Sequence, residues 1–106
     1  MAIAEITVDE LEAELANGAR LIDVREVDEY EEFRVPGAVH VPLGSVPEQL
    51  EAFDGDGPTY VICLSGARSM RACEYVAEAT GRHVINVAGG SRAWVESGRA
   101  VETGTP

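Results

Sequence analysis

Strand-like runs alternate with helical segments along this 106-residue chain, and this alternation limits its fold most strongly. Four runs, over residues 19–24, 38–41, 59–62 and 84–87, are short and mainly apolar. A strand without regular apolar-polar alternation is typically buried on both faces. Strands joined by helices pair in parallel. The chain is therefore predicted to form an α/β fold of three layers, α/β/α, around a mainly parallel sheet of about five strands.

Helix signals fill the stretches between these runs. Thr7 to Glu10 has the form of a capping box, which predicts a helix that begins there and ends at Gly18. A longer helix that ends at Gly81 is predicted from apolar side chains at helical spacing. Three further helices are predicted over residues 26–32, over residues 46–53 and around Trp94.

The length fits a single domain over residues 1–106, with a core from about residue 5 to residue 98 and a flexible tail over residues 99–106. Acidic residues outnumber basic ones by 19 to 8, a formal net charge of −11. This excess argues against binding to nucleic acid or to anionic lipid. Residues 1–56 hold 15 acids against 3 arginines, and residues 57–106 hold 4 against 5. An anion site is therefore expected in the second half.

Two features of the sequence bear on the compartment. No run approaches the roughly 20 apolar residues of a membrane helix, and the first ten residues lack the regions of a signal peptide. We therefore expect a cytoplasmic protein that does not contact a membrane. Both cysteines, Cys63 and Cys73, are expected to be free thiols in such a reducing compartment.

The clearest predicted strand, Thr59–Ile62, leads directly into Cys63 and a loop with Gly66 and Arg68. Parallel sheets bind ligands at the loops that follow their strands. Backbone N–H groups and a helix N-terminus pointing into the loop stabilise a thiolate, and Arg68 with Arg71 adds positive potential. Gly66 allows the loop to curl with positive φ. These features favour Cys63 as a reactive thiol over a small buried apolar residue.

The other residues that could carry chemistry are expected to have structural roles and not to bind a metal. Cys73 lies among apolar positions of the predicted helix and is expected in the core, as is Trp94. The two histidines, His40 and His83, lie on different predicted strands without the spacing of a metal site. We expect neither a metal nor another cofactor.

Residues 63–69, with the sequence CLSGARS, resemble the C-x-x-G-x-R-S loop of single-domain rhodaneses. These sulfurtransferases carry sulfur as a cysteine persulfide. Three further blocks resemble segments of this family in the same order, namely residues 21–26 (LIDVRE), 36–42 (PGAVHVP) and 87–94 (VAGGSRAW). The resemblance covers roughly residues 5–98 and implies a rhodanese-like fold.

The resemblance implies covalent catalysis in two steps. The Cys63 thiolate takes the outer sulfur of a donor such as thiosulfate, sulfite leaves, and cyanide or a thiol then removes the sulfur from the persulfide. Backbone N–H groups of the loop would stabilise the charged sulfur, and the expected substrate-binding residues are Leu64, Ser65, Gly66, Ala67, Arg68 and Ser69. Phosphatases and arsenate reductases of this fold have a longer C-x5-R loop, so the C-x4-R spacing here favours sulfur.

Several alternatives stay open. Arg68 either orients the anionic donor or ties the loop to a carboxylate such as Asp23. Asp23 and Arg25 are predicted to support the site, by lining it or through an ion pair with Glu26 or Glu29 that fixes the following turn.

The function has alternatives too. A sulfur-carrier or regulatory module would serve one protein acceptor, with the acidic first half as the docking surface, and a phosphatase or arsenate reductase is disfavoured by the loop length. The expected partners are a small anionic sulfur donor and a thiol, cyanide or protein acceptor. The chain is expected to be a monomer or a weak dimer.

Overall fold

The computed structural model describes residues 2–105 and contains one five-stranded sheet. Its strands are β1 (Glu5–Ile6), β2 (Arg20–Asp23), β3 (Val39–His40), β4 (Thr59–Ile62) and β5 (Val84–Val87). They lie in the order β1-β5-β4-β2-β3, and all neighbours are parallel. The predicted parallel α/β sheet is therefore confirmed. The sequence carries no signal for β1, because a two-residue strand is too short to have a pattern.

Three α-helices connect strands, namely α1 (Val8–Ala16), α2 (Val27–Glu32) and α3 (Ala67–Thr80), and a fourth, α4 (Gly90–Glu96), follows β5. The predicted capping box is present at the start of α1, where Thr7 and Glu10 each accept a hydrogen bond from the backbone N–H of the other. Within residues 2–105, no helix has the combination of length and apolar character needed to cross a membrane.

The prediction of one helix over residues 46–53 is wrong. Two 3-10 helices occupy this region, Leu43–Glu48 and Leu50–Phe53. Pro47 lies inside the first and has no N–H to donate, which disfavours a continuous α-helix. Gln49 separates the two segments with φ −129°, outside the helical range. Phe53 is nevertheless buried, as the pattern predicts.

The sheet is covered on both faces, as a three-layer fold requires. The side chains of β4 and of the residue that follows it alternate between two cores, with Val61 and Cys63 in one core and Tyr60 and Ile62 in the other. The core that contains Cys63 also contains buried residues of α3 and of the 3-10 helices. The opposite core is formed with α1 and α4. Cys63 therefore lies beneath α3, directly after the carboxyl end of β4.

The segment after Gly98 runs along the body of the domain. Arg34 and Glu102 exchange two backbone hydrogen bonds of 2.8 and 3.0 Å, and the N–H of Gly104 donates to the carbonyl of Glu31 at 2.7 Å. The guanidinium of Arg34 donates to the carbonyl of Gly104 at 2.7 Å. The flexibility predicted for residues 99–106, of which residue 106 lies outside the described residues, stays a prediction. The contacts of Glu102 and Gly104 would have to break for this segment to move freely.

Truncation after Gly98 tests whether these contacts matter. We expect the free energy of unfolding to fall by about 1–3 kcal/mol, because the buried guanidinium of Arg34 loses a carbonyl partner. Urea unfolding measures the change. Glu102→Gln removes only a 3.7 Å ion pair whose carboxylate is 56% exposed, and it is expected to cost under about 1 kcal/mol. Equal stability of the truncated and full chains would show that the segment is loosely held.

Candidate active site

The Cys63 loop turns sharply between β4 and α3. Gly66 caps α3 with φ +106°, a left-handed conformation that residues other than glycine rarely adopt. A side chain at Gly66 would meet other atoms only at ordinary contact distances of 3.5 Å or more. The need for glycine at this position is therefore conformational. The turn brings the amino end of α3 back over Cys63.

The sulfur of Cys63 is buried and accepts two hydrogen bonds. The backbone N–H of Gly66 donates to Sγ at 3.1 Å, and the hydroxyl of the buried Ser69 donates at 3.3 Å. Burial alone raises the pKa of Cys63, but the Ser69 hydroxyl and the backbone N–H groups of Ser69, Gly66 and Ser65 outweigh it. The pKa of Cys63 therefore lies below its usual value. The loop stabilises a thiolate, as its sequence predicts.

Cys73 has the same burial and the opposite electrostatic setting. It lies on the inner face of α3 within the core, as predicted, and burial raises its pKa to about 12. Both thiols are free. Their pKa values therefore show the effect of burial with hydrogen-bond donors at Cys63 and without them at Cys73.

The amino end of α4 holds the loop from the other side. The backbone N–H of Ser91 donates to the carbonyl of Cys63 at 2.8 Å, and that of Arg92 donates to the carbonyl of Leu64 at 3.0 Å. A Cβ on Gly90 would lie 2.5 Å from both carbonyl oxygens, so only glycine allows this approach. Carbonyl oxygens that faced the sulfur would repel a thiolate. Those of Cys63 and Leu64 instead accept hydrogen bonds from the amino end of α4.

Asn86 also positions the loop, although no sequence motif singles it out. Its side-chain amide donates to the carbonyl of Gly66 at 3.1 Å and to the carboxylate of Glu5 at 2.8 Å. Asn86 is fully buried on β5. The available signal was a single amide within the otherwise apolar run of residues 84–87, because a buried amide requires partners.

Arg68 is held by a carboxylate from the first half of the chain. Its Nη1 and Nη2 donate to Oε1 and Oε2 of Glu29 at 2.7 and 2.9 Å, and both side chains are about a third exposed or less. Hydrogen bonding to Arg68 lowers the pKa of Glu29 to about 2, and hydrogen bonding to Glu29 raises the pKa of Arg68. The carboxylate that ties the loop is therefore Glu29, and the suggested partner Asp23 is wrong.

Asp23 pairs instead with Arg25. Arg25 Nη2 lies 2.8 Å from Asp23 Oδ2, Arg25 Nε lies 3.0 Å from both carboxylate oxygens, and both residues are fully buried. The guanidinium also donates to the backbone carbonyls of Glu29 and Phe33. The expected ion pair of Arg25 with a Glu26 or Glu29 side chain is thus replaced by a pair within the β2 end. This pair fixes α2, and its support of catalysis stays a prediction.

The other predicted loop residues surround Cys63 at different depths. Ser65 and Ala67 are exposed, whereas Leu64 and Gly66 are half-buried. Of the predicted residues, Gly66 and Ser69 donate hydrogen bonds to the Cys63 sulfur, and the backbone of Ser65 helps to lower its pKa. Arg71 is exposed on α3.

The family comparison agrees with this geometry. Residues 7–97 match the model of the rhodanese-like domain. The chain belongs to this family. A rhodanese-like domain protein from Staphylococcus aureus has a solved structure that aligns with 97% of this chain and 100% of its own, with a TM-score of 0.85 and 32% identity.

Relatives of this rhodanese-like domain are named for sulfur chemistry. The provisionally named sulfurtransferase YtwF of Bacillus subtilis is 47% identical over 70% of this chain and 71% of its own length. The thiosulfate sulfurtransferase GlpE of Actinobacillus succinogenes is 32% identical over 97% of this chain and 94% of its own. The provisionally named sulfur carrier protein YrkF of Bacillus subtilis is 40% identical over 70% of this chain but only 40% of its own length. These relatives support a general role in sulfur transfer.

The two thiols provide a direct test of the loop. We expect Cys63 to alkylate with a half-maximal pH below the ordinary thiol value and far below that of Cys73, because hydrogen-bond donors surround only Cys63. The pH dependence of iodoacetamide labelling measures this. Cys73→Ala isolates the Cys63 signal, and Cys63→Ser isolates that of Cys73. Equal midpoints near the free-thiol pKa would contradict the stabilised thiolate.

The buried Asp23–Arg25 pair predicts a large stability difference. Asp23→Ala leaves the Arg25 guanidinium buried without a counter-ion, so we expect a loss of about 3–5 kcal/mol in unfolding free energy. Asp54→Ala is the matched control, because it breaks a 3.0 Å pair with Arg82 in which both side chains are about half exposed. That control is expected to cost under about 1 kcal/mol. Similar denaturation midpoints for the two variants would disprove a structural role for Asp23.

Proposed function

We propose that this rhodanese-like domain transfers sulfane sulfur from thiosulfate or a similar anionic donor to a thiol acceptor, or to cyanide in an assay, through a persulfide on Cys63. The observation that carries the proposal is the buried Cys63 sulfur, which accepts hydrogen bonds from the Gly66 N–H and the Ser69 hydroxyl. These donors stabilise a nucleophilic thiolate without a general base.

The first half-reaction loads the sulfur. The Cys63 thiolate attacks the outer sulfur of thiosulfate, and a bond forms between Sγ and that sulfur. The sulfur–sulfur bond of thiosulfate breaks, and its electron pair leaves with sulfite. Three negative charges are present before and after the step, and no proton or external oxidant is required. Cys63 then carries a persulfide with one negative charge.

The second half-reaction returns Cys63 to the thiolate. An acceptor thiolate attacks the outer persulfide sulfur, and the electron pair of the broken bond returns to Sγ of Cys63. Cyanide would take the same sulfur as thiocyanate. The donors that stabilise the first thiolate serve again for the thiolate that leaves. Both the free Cys63 and a thiol acceptor require reducing conditions, which is why the proposal includes a cytoplasmic setting.

The enclosure of Cys63 favours transfer of a terminal atom. Cys63 is only 1% exposed, so a donor must present its reactive atom at the tip of the molecule. The outer sulfur of thiosulfate meets this condition. The phosphorus of a phosphate ester is surrounded by oxygens, and four residues between Cys63 and Arg68 leave a small cradle for it. This supports sulfur transfer over phosphatase or arsenate reductase chemistry.

A protein acceptor is the second candidate. The similarity to a protein named as a sulfur carrier favours it, together with the position of α2 beside the loop. Glu29 of α2 contacts Arg68 directly, so the acidic helix lies against the Cys63 loop. Under this alternative, turnover with small acceptors is slow and a basic partner protein accepts the sulfur.

Intact mass after incubation with thiosulfate is the decisive measurement. We expect the wild-type chain to gain the mass of one sulfur atom, and a reductant to remove it. Cys73→Ala should gain the sulfur, whereas Cys63→Ser should not. Cyanide that removes the sulfur as rapidly as a thiol supports a small-molecule enzyme. Absence of the gain in wild type would overturn the proposal, and phosphate release from an aryl phosphate that depends on Cys63 would favour the phosphatase alternative.

A further inference from the structure

The only cation that the loop itself contributes is already neutralised. Arg68 is the one basic residue among residues 63–69, and both of its terminal nitrogens donate to Glu29 at 2.7 and 2.9 Å. The thiolate of Cys63 lies close enough to contribute to the raised pKa of Arg68. An anion that approaches Cys63 therefore meets a cation whose charge is already paired with the Glu29 carboxylate, and two of the five N–H groups of the guanidinium are engaged by Glu29.

The Glu29 carboxylate is fixed in this position by its own helix. Its Oε1 accepts a second hydrogen bond, of 3.0 Å, from the backbone N–H of Glu26 in the capping box of α2. The backbone carbonyl of Glu29 accepts from Nη1 of Arg25 at 3.2 Å, and Arg25 is locked by the buried Asp23. Because the backbone and the carboxylate are both held, Glu29 remains beside the loop when Arg68 moves.

The charge of a sulfur donor determines how strongly the Glu29 carboxylate repels it. Electrostatic energy scales with the charge of the ligand, so Glu29 opposes a dianion about twice as strongly as a monoanion at the same position. The pair is partly buried, which leaves it less screened by salt than a surface pair. Repulsion by Glu29 therefore weakens the binding of thiosulfate at the Cys63 site more than the binding of a donor with one negative charge.

We propose that Glu29 is a specificity-determining residue of the Cys63 site, which selects sulfur donors with a single negative charge, such as thiosulfonates, over dianionic thiosulfate. This inference rests on the sulfurtransferase function proposed above. A thiosulfonate transfers its terminal sulfur to the Cys63 thiolate and leaves as a sulfinate, with two negative charges before and after the step. Glu29 takes no part in the chemistry; it acts through its negative charge and through its pairing with Arg68.

Two donors of nearly equal size test the proposal. Methanethiosulfonate carries a methyl group where thiosulfate carries a charged oxygen, and both deliver a terminal sulfur. Initial rates of thiocyanate formation by the full chain, at one fixed cyanide concentration, give KM and kcat for each donor. Comparison of the two KM values among variants cancels the intrinsic difference between sulfinate and sulfite as leaving groups.

Glu29→Gln is the main variant. We expect the KM for thiosulfate to fall about tenfold and that for methanethiosulfonate about threefold, with kcat nearly unchanged, because the dianion gains about the square of the monoanion's factor. Asp28→Asn is the matched control. It removes the same charge from an exposed position of the same helix, and Asp28 forms no ion pair within residues 2–105. This control is expected to change the ratio of the two KM values less than about twofold.

Two further variants keep the test independent of the folding of Glu29→Gln. Arg68→Ala leaves Glu29 without its partner, so the KM for thiosulfate should rise more than that for methanethiosulfonate. The double variant Arg68→Ala/Glu29→Gln restores the wild-type net charge and should bring the ratio back towards the wild-type value.

The outcomes separate this inference from the function on which it rests. Persulfide formation with both donors and an unchanged KM ratio in Glu29→Gln and Arg68→Ala would overturn the role of Glu29 and leave the sulfurtransferase function standing. Equal shifts for both donors, or a change confined to kcat, would also overturn it. No persulfide from either donor in wild type would overturn the proposed function, and this inference with it.

Discussion

The hydrogen bonds to the Cys63 sulfur lower its pKa, whereas burial of the sulfur raises it. The loop is arranged so that the hydrogen bonds have the larger effect. Cys73 has similar burial on the same face of the sheet, and its pKa rises to about 12. At Cys63 the pKa falls, because Gly66 and Ser69 donate to the sulfur. The left-handed Gly66 provides one donor and begins the helix that provides the other. The loop therefore stabilises a thiolate at a buried position where burial alone would favour the neutral thiol.

The loop is held from three separate parts of the chain. The amino end of α4 binds the carbonyls of Cys63 and Leu64, and β5 binds the carbonyl of Gly66 through Asn86. The first half of the chain supplies Glu29, whose helix is fixed by the buried Asp23–Arg25 pair. The acidic half of the chain thus contributes directly to the site in the more basic half, although charge counting alone assigns the anion site to the second half.

The local features of the fold and site were predictable from the sequence, and the long-range pairings were not. The strand that leads into Cys63 and the capping box of α1 depend on neighbouring residues, and both are present. The partner of Arg68 is 39 residues away, and several carboxylates near β2 offered the same chemistry. Only the direction of α2 decides between them. The two-residue β1 likewise depends on its pairing with β5, which local periodicity does not carry. The interrupted helix over residues 43–53 differs, because its cause, Pro47, is visible in the sequence.

The hydrogen bond between Gly104 and Glu31 joins the carboxyl end of the described chain to α2, the helix that carries Glu29. A pull on that end is therefore transmitted to the helix beside the loop without passing through the sheet or α3. The chain end and the sulfur site are thus coupled mechanically, through α2 and the contact between Glu29 and Arg68.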